Sequence, residues 1–157
     1  MIILGIDPGT TTTGFGILQK ISRDNYKVLN YGVIHTMPKI DQKIKLFEID
    51  KDIKSLIKKY KPNLMSIEKL FYNKNPKTII SVSQARGVCL LNAGIYNLRV
   101  FEYTPLQVKN TLVGYGRADK AQVQYMVKNI LNLSYIPKPD DAADALAIAI
   151  CAGLEIQ

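Results

Sequence analysis

The stretch that decides the fold is IILGIDPGTTTTGFGIL at residues 2–18, and its unusual member is Asp7. The residues before Asp7 are apolar apart from Gly5, and such a run predicts a strand that is buried on both faces. A carboxylate at the end of a buried strand is costly unless it is paired or bound to a metal ion. Asp7 is therefore expected to have a partner elsewhere in the sequence; the alternative is that it merely starts an Asx-type turn.

Alternating strand and helix patterns surround this stretch and predict one α/β domain over residues 1–157. Strands expected at 2–7, 13–19 and 28–36 form an antiparallel meander, with a type II turn at DPGT after the first strand. The remaining expected elements are a helix at 42–60, the strand LMSIE at 64–68, a helix at 77–96, the strand RVFEY at 99–103, a short helix capped by Thr104, a helix after Asp119 and a helix at 140–152. Together they predict a five-stranded mixed sheet flanked by helices.

The composition is that of a globular protein with a basic charge balance. Of the 157 residues, 47% are hydrophobic and 22% are charged, and the formal net charge is +8. The sequence contains no run of 18 apolar residues and no secretion signal, so a cytoplasmic protein is expected. Cys89 and Cys151 lack metal-binding spacing and are expected to be buried free thiols. The positive charge indicates a polyanionic partner.

Acidic residues recur at the ends of apolar elements in three separate segments. Glu68 ends the strand LMSIE as Asp7 ends the first strand; taken alone, Glu68 could equally be a solvated strand end. In PDDAADALAIAI, Asp144 is three residues from Asp141 and four from Asp140, so it shares a helix face with either of them. Helix geometry alone leaves the choice between the two open. Asp140 follows a proline at the start of the helix and is therefore expected to be its N-cap.

A cluster of carboxylates needs positive charge, because like charges at short range oppose ionisation. Mg²⁺ prefers oxygen ligands and meets this need. Two such ions about 3.5–4 Å apart stabilise the attacking and leaving oxygens when a phosphodiester is cleaved. In a basic protein, an all-carboxylate site therefore indicates metal-dependent cleavage of nucleic acid.

Five segments of the chain resemble the RuvC family of bacterial Holliday-junction resolvases. They are GIDPGTTTTGFG, IEKLFYNKN, QARGV, FEYTPLQVKNTLVGYGRADKAQVQ and DDAADALAIAI, in the family's order and spacing over nearly the whole chain. The resemblance implies a ribonuclease H-like fold and two Mg²⁺ ions, with Mn²⁺ as an alternative. The implied acidic ligands are Asp7, Glu68, Asp141 and Asp144. The family pattern selects Asp141 over Asp140, and some members carry histidine at the position of Asp144.

The resemblance also implies a reaction and further site residues. A metal-dependent endonuclease of this family nicks two opposed strands of a four-way junction during recombination and repair, leaving 5′-phosphate ends. Lys109 and Lys120 match family lysines near the scissile strand and are expected to be catalytic; the alternative is that they are ordinary solvated lysines.

The loop FYNKN, residues 71–75, is expected to contact the junction. Phe71 matches a family position implicated in stacking at the junction centre, and base–aromatic stacking contributes about 1–3 kcal/mol. The alternative for Phe71 is a core anchor. Tyr72, Lys74 and Arg117 are further expected DNA-binding residues.

The resemblance implies protein partners as well. Because the strands of a junction are related by two-fold symmetry, a C2 homodimer is expected, and the branch-migration proteins RuvA and RuvB are expected partners. The helix after Pro76 matches the family's dimer element. Its apolar residues serve either a dimer or the core, with the core as the default for most of them; they are Ile79, Ile80, Val82, Val88 and Leu91.

Two other functions remain open from the sequence. IDPGTTTTG also resembles the first phosphate loop of actin-like and sugar-kinase ATPases, although this chain is short and shows no second phosphate loop. A junction-binding module without catalysis is the other alternative. The acidic set argues against it, since clustered negative charge does not help a protein that only binds phosphates.

Overall fold

A five-stranded mixed sheet forms the centre of the molecule. The computed structural model describes residues 1–70 and 76–156, except for the side chains of residues 76 and 77. The strands are β1 (Ile2–Asp7), β2 (Thr12–Ser22), β3 (Asn25–His35), β4 (Leu64–Glu68) and β5 (Arg99–Tyr103). Their spatial order is β3-β2-β1-β4-β5. The first three strands are antiparallel, whereas β4 runs parallel to both β1 and β5, so the predicted mixed sheet is confirmed.

Helices cover both faces of this sheet. They are α1 (Gln42–Tyr60), α2 (Pro76–Ile95), α3 (Pro105–Val113), α4 (Lys120–Ile130) and α5 (Asp140–Glu155). The capping boxes of Thr104 and Asp119 fix the starts of α3 and α4, since each side chain accepts a hydrogen bond from the backbone of the third helical residue. Within the described part of the chain, none of these helices combines the length and apolar character needed to cross a bilayer.

The alternation of side chains along β1 divides the core into two layers. Ile3 packs into a cluster with α3, α4 and α5 on one face. Leu4 packs into a second cluster with α1 and α2 on the other face. Because successive side chains point to opposite faces, Gly5 and Asp7 lie on the same face as Ile3, under α5. The position of Asp7 therefore follows from the register of β1.

Glycines let α5 lie directly against the sheet. A Cβ at Gly5 would be 2.2 Å from the backbone oxygen of Ala145, and one at Gly14 would be 2.0 Å from that of Asp141. These distances are far inside van der Waals contact, so neither position accepts a side chain without displacing the helix. The hydroxyl of Ser66 on β4 donates a hydrogen bond to the backbone oxygen of Ile148 at 2.7 Å. This contact fixes α5 along the strand direction.

Two local expectations differ from the structure. The β2–β3 hairpin is longer than predicted, because its polar outer ends continue the ladder as far as the Ser22–Asn25 pair. The predicted type II turn at DPGT is wrong, since Gly9 does not have the positive φ that this turn requires. Instead, the hydroxyl of Thr13 donates to the backbone oxygen of Gly9 at 2.5 Å. Gly9 is needed for space: a Cβ there would be 2.1 Å from the backbone oxygen of Thr12.

Candidate active site

Asp7 and Glu68 lie at neighbouring ends of two parallel strands. The last paired residues of β1 and β4 are Ile6 and Ile67, and each precedes one of the carboxylates. Because side chains alternate along a strand, both carboxylates point to the face of the sheet that α5 covers. Two acidic groups from distant parts of the sequence are thereby held side by side.

The start of α5 adds two more carboxylates at the same edge of the sheet. Asp7 is the register partner of Gly14, and the backbone of Asp141 passes directly over Gly14. Asp144 follows about one helical turn later and lines a cleft of about 190 Å³ together with Glu68. We call Asp7, Glu68, Asp141 and Asp144 the carboxylate cluster. The structure brings these predicted residues together, while their roles as ligands stay a prediction.

The carboxylate cluster carries unfavourable electrostatics in the absence of a cation. Burial raises the pKa of the Asp7 carboxyl well above its usual value. The charge of Glu68 and a hydrogen bond shared with it raise this pKa further, and the charges of Asp144 and Asp141 add to the effect. Burial also raises the pKa of Asp144, against the opposing effect of Lys120. Both shifts reflect the cost of gathering negative charge in a partly enclosed site.

Two lysines line the same cleft as Glu68 and Asp144. They are Lys109 on α3 and Lys120 at the start of α4. The Lys120 ammonium lies 3.0 Å from a carboxylate oxygen of Asp144. Burial lowers the pKa of Lys120, but the contacts with Asp144 and Asp140 outweigh that effect and raise it. Lys120 therefore stays protonated beside the carboxylate cluster.

Asp140 does not have the capping role predicted for it. The N-cap of α5 is Pro139, and Asp140 is the first helical residue, with no capping hydrogen bond from its side chain. Its carboxylate instead accepts a hydrogen bond from Lys138 at 2.7 Å and lies 3.4 Å from the Lys120 ammonium. The Lys138 hydrogen bond contributes most to lowering the pKa of Asp140 to about 2. Asp140 is thus a partner of lysines at the rim of the cleft.

The donors of the carboxylate cluster suit a hard divalent cation, since all are carboxylate oxygens, and they come from three elements, β1, β4 and α5. Across residues 1–70 and 76–156, however, no three His, Cys, Asp or Glu side chains are gathered closely enough to form a ligand set. The chemistry of these donors nevertheless fits such an ion, and the repulsion among their charges opposes a closer approach.

The remaining predicted contacts are only partly described. Phe71, Tyr72 and Lys74 lie outside the described residues. Arg117 is exposed in the loop between α3 and α4, close in sequence to Lys120. Sequence reasoning assigned no role to Arg86, whose side chain reaches the backbone of Glu68. The motif QARGV contained it, but no sequence pattern relates a helix arginine to a strand-end carbonyl.

Comparisons with known proteins agree on one family. The family model described as Crossover junction endodeoxyribonuclease RuvC matches residues 3–152. The chain is 53% identical to the crossover junction endodeoxyribonuclease RuvC of Halothermothrix orenii over 153 residues, which is 98% of this chain and 92% of that protein. The RuvC of Ruminiclostridium cellulolyticum is 52% identical, with the same coverage of both chains.

Solved structures give the same result. The structure of Thermus thermophilus RuvC superposes with a TM-score of 0.91 at 31% identity, covering 98% of this chain and 94% of that one. T. thermophilus RuvC in complex with Holliday junction substrate also gives a TM-score of 0.91, at 32% identity, covering 96% of this chain and 92% of that one. The yeast mitochondrial resolvase Ydc2 shares the fold, with a TM-score of 0.66 at 14% identity and coverage of 97% and 78%.

The raised pKa of Asp7 predicts a pH-dependent effect of Asp7→Asn on stability without divalent ions. A carboxyl with a raised pKa in the folded state contributes stability at low pH, and this contribution is lost as the pH rises through that pKa. In chelator, we expect Asp7→Asn to raise the Tm at neutral pH. The gain should shrink as the pH falls towards about 3.9, the usual pKa of aspartate.

Thermal melts of both proteins across this pH range measure the effect. Asp52→Asn is the matched control, because Asp52 is exposed on α1, away from the carboxylate cluster; it should give no such pH-dependent gain. Adding Mg²⁺ should raise the Tm of the wild type more than that of Asp7→Asn. Parallel Tm curves for wild type and Asp7→Asn at all pH values would contradict the electrostatic description of the cluster.

Proposed function

The chain belongs to the RuvC family of crossover junction endodeoxyribonucleases, and we propose that its carboxylate cluster holds the divalent ions with which it resolves four-way DNA junctions. The observation that carries this proposal is the convergence of four carboxylates beside a cleft that also contains two lysines. Carboxylates alone would repel a phosphate backbone. A cation-filled cluster next to Lys109 and Lys120 would attract one.

The family is metal-dependent, and we infer two Mg²⁺ ions per site, with Mn²⁺ as an alternative. Asp7 interacts with the other three carboxylates of the cluster, and together the four side chains would hold the ions. When bound, such ions polarise the scissile phosphate and lower the pKa of a bound water. Water oxygen bonds to phosphorus while the bond to the 3′ oxygen breaks, and that oxygen takes up a proton. The products are a 5′-phosphate and a 3′-hydroxyl on each of two opposed strands.

Lys109 and Lys120 act on the phosphate in this proposal. Both line the cleft with Glu68 and Asp144, so a phosphate held against the carboxylate cluster lies within reach of their ammonium groups. Positive charge at that position stabilises the negative charge that develops in the transition state. The ion pair between Lys120 and Asp144 keeps that lysine at the cleft before the substrate arrives.

Asp7→Asn tests the role of the carboxylate cluster. The change removes one charge from the cluster and leaves the basic surface intact, so we expect loss of cleavage of a synthetic four-way junction with nearly unchanged binding. Cleavage and gel-shift assays in Mg²⁺ measure the two quantities. Asp52→Asn again serves as the control and should cleave normally. A wild-type cleavage rate for Asp7→Asn would refute the assignment.

Alanine at Lys109 or Lys120 should lower the cleavage rate more than the junction affinity. The reason is that these ammonium groups are assigned to the developing charge of the transition state rather than to general phosphate binding. Single-turnover rates and dissociation constants measure the difference. Lys51→Ala, at an exposed lysine of α1, is the matched control. Equal losses in rate and affinity would make both lysines ordinary phosphate contacts.

We also propose that α2 forms the interface of a C2 homodimer. The default expectation of core burial is wrong for two of its apolar residues: Ile80 is 69% exposed and Leu91 is 59% exposed. Ile95 lies on the same side of the helix and is 57% exposed. Gly87 faces open space, since nothing lies within 4 Å of a Cβ built there. An exposed apolar strip of this kind marks an interaction surface. A second copy suits it, because a two-fold dimer presents one cleft to each of two symmetry-related strands.

Leu91→Arg tests the dimer. A charge at the centre of an apolar interface is costly to bury, so we expect the sedimentation mass to change from dimer to monomer. Paired cleavage of a junction should give way to slow, single nicks. Ile21→Arg is the matched control, because Ile21 is 60% exposed at the end of β2, away from α2. A dimeric Leu91→Arg protein would place the interface elsewhere.

RuvA and RuvB, the branch-migration proteins expected from the resemblance, complete the set of proposed partners. The two alternative functions are less well supported. The ATP-binding alternative covers only the first loop, whereas the family match extends over residues 3–152. A non-catalytic binder would have no use for four carboxylates gathered at or beside a cleft that faces phosphates. Mg²⁺-dependent cleavage of a four-way junction distinguishes the proposed enzyme from both.

A further inference from the structure

Arg86 joins three elements on the side of the sheet opposite the cleft. It lies on α2, and its Nε donates a hydrogen bond to the backbone oxygen of Glu68 at 3.1 Å. Its Nη2 also pairs with a carboxylate oxygen of Glu102 on β5. The Arg86 side chain is only 18% exposed. One guanidinium thus links α2, the end of β4 and β5.

The two faces of the sheet separate Arg86 from the reacting groups. Glu102 is the register partner of Ile67, which packs in the α1–α2 layer, so Glu102 faces α2. Glu68 follows Ile67 and points to the other face, where it lines the cleft with Asp144. Arg86 does not line that cleft. The contact that the structure shows between Arg86 and Glu68 is to the backbone oxygen of Glu68.

The guanidinium is well suited to fix a strand end. Its planar arrangement of donors holds two acceptors in a set geometry, which a flexible ammonium does not do. Glu68 is the last residue of β4, and the next backbone contact is the hydrogen bond from Lys69 N to Tyr103 O at 2.8 Å. The Glu68 carbonyl belongs to the peptide that follows its Cα, so a shift of this carbonyl would turn the backbone at that Cα and, with it, the carboxylate side chain.

We propose that Arg86 is a positioning residue that holds Glu68 in place from the opposite face of the sheet and so connects the proposed dimer helix to the cleft. This inference rests on the proposed function of Glu68 as a metal ligand. Gly87 and Leu91, on the proposed dimer surface, follow Arg86 on the same helix. Contact with a second copy would therefore stabilise the helix that fixes Glu68.

The test compares Arg86→Gln and Arg86→Lys with the wild type. Residues that orient a metal ligand typically affect metal affinity or activity by about 10–100-fold, and we expect a loss of that size in the single-turnover rate of Arg86→Gln. Junction affinity and the sedimentation mass should not change. Arg86→Lys should recover part of the rate, because an ammonium can reach one of the two acceptors. Arg99→Gln, at an exposed arginine on β5, removes the same charge and should leave the rate unchanged.

A second readout does not depend on cleavage. The Tm increase on adding Mg²⁺ reports occupancy of the carboxylate cluster, and for Arg86→Gln we expect this increase to require a higher Mg²⁺ concentration. An effect on cleavage without this shift would overturn the positioning role. Equal losses in rate and junction affinity would also overturn it, by making Arg86 a DNA contact.

Failure of the inference is distinguishable from failure of the proposed function. If the proposed function is wrong, the wild type itself does not cleave junctions in Mg²⁺. If only the inference is wrong, the wild type cleaves, and Arg86→Gln either cleaves at the same rate or loses rate without the Mg²⁺ shift or with an equal loss of junction affinity. Should Arg86→Gln fail to fold, Glu102→Gln is the variant to test. This change weakens the ion pair between Glu102 and Arg86 but leaves Arg86 itself in place. A slower rate with unchanged binding then supports the proposal, and an unchanged rate overturns it.

Discussion

The close approach of α5 to β1 and β2 is the constraint on which the candidate site depends. Gly5 and Gly14 leave no room for side chains beneath the helix, and the alanines of α5 match them from above. Were the helix displaced by the width of one side chain, Asp141 and Asp144 would move away from the strand ends of Asp7 and Glu68. Small residues in both elements therefore set the distances among the carboxylates. The packing of α5 against the sheet thus determines where the carboxylates of the candidate site lie.

The same proximity creates an electrostatic problem that the chain resolves only in part. Burial and mutual repulsion raise the pKa of Asp7, while Lys120 compensates part of the charge of Asp144. Lys120 is in turn held by Asp140, and Asp140 by Lys138. Alternating charges of this kind offset part of the negative charge at the edge of the cluster. The exposed pairs at the rim contribute little to stability, so their effect lies in where the lysines are held.

Sequence reasoning predicted the parts of the site that depend on regular periodicity. Asp7 and Glu68 were identified as acidic residues at the ends of otherwise apolar strands, and the bounds of β4 and β5 were predicted correctly. It failed where tertiary contacts decide. Gly9 avoids the predicted turn because the Thr13 hydroxyl binds its backbone, and Asp140 forms ion pairs with lysines instead of capping its helix.

Helix α2 shows most clearly why a sequence pattern is insufficient. Its apolar residues lie on more than one side, so periodicity could not separate those that meet the sheet from those that face outward. In the structure, Cys89 is buried against the sheet and Leu91 is exposed. Arg86 lies between these two environments and reaches the backbone of Glu68. A single helix thus carries an outward apolar strip and an inward contact to the end of β4. A partner bound to the outer side of α2 would therefore contact the same helix whose Arg86 binds the backbone of Glu68. The side chain of Glu68 belongs to the carboxylate cluster on the other face of the sheet.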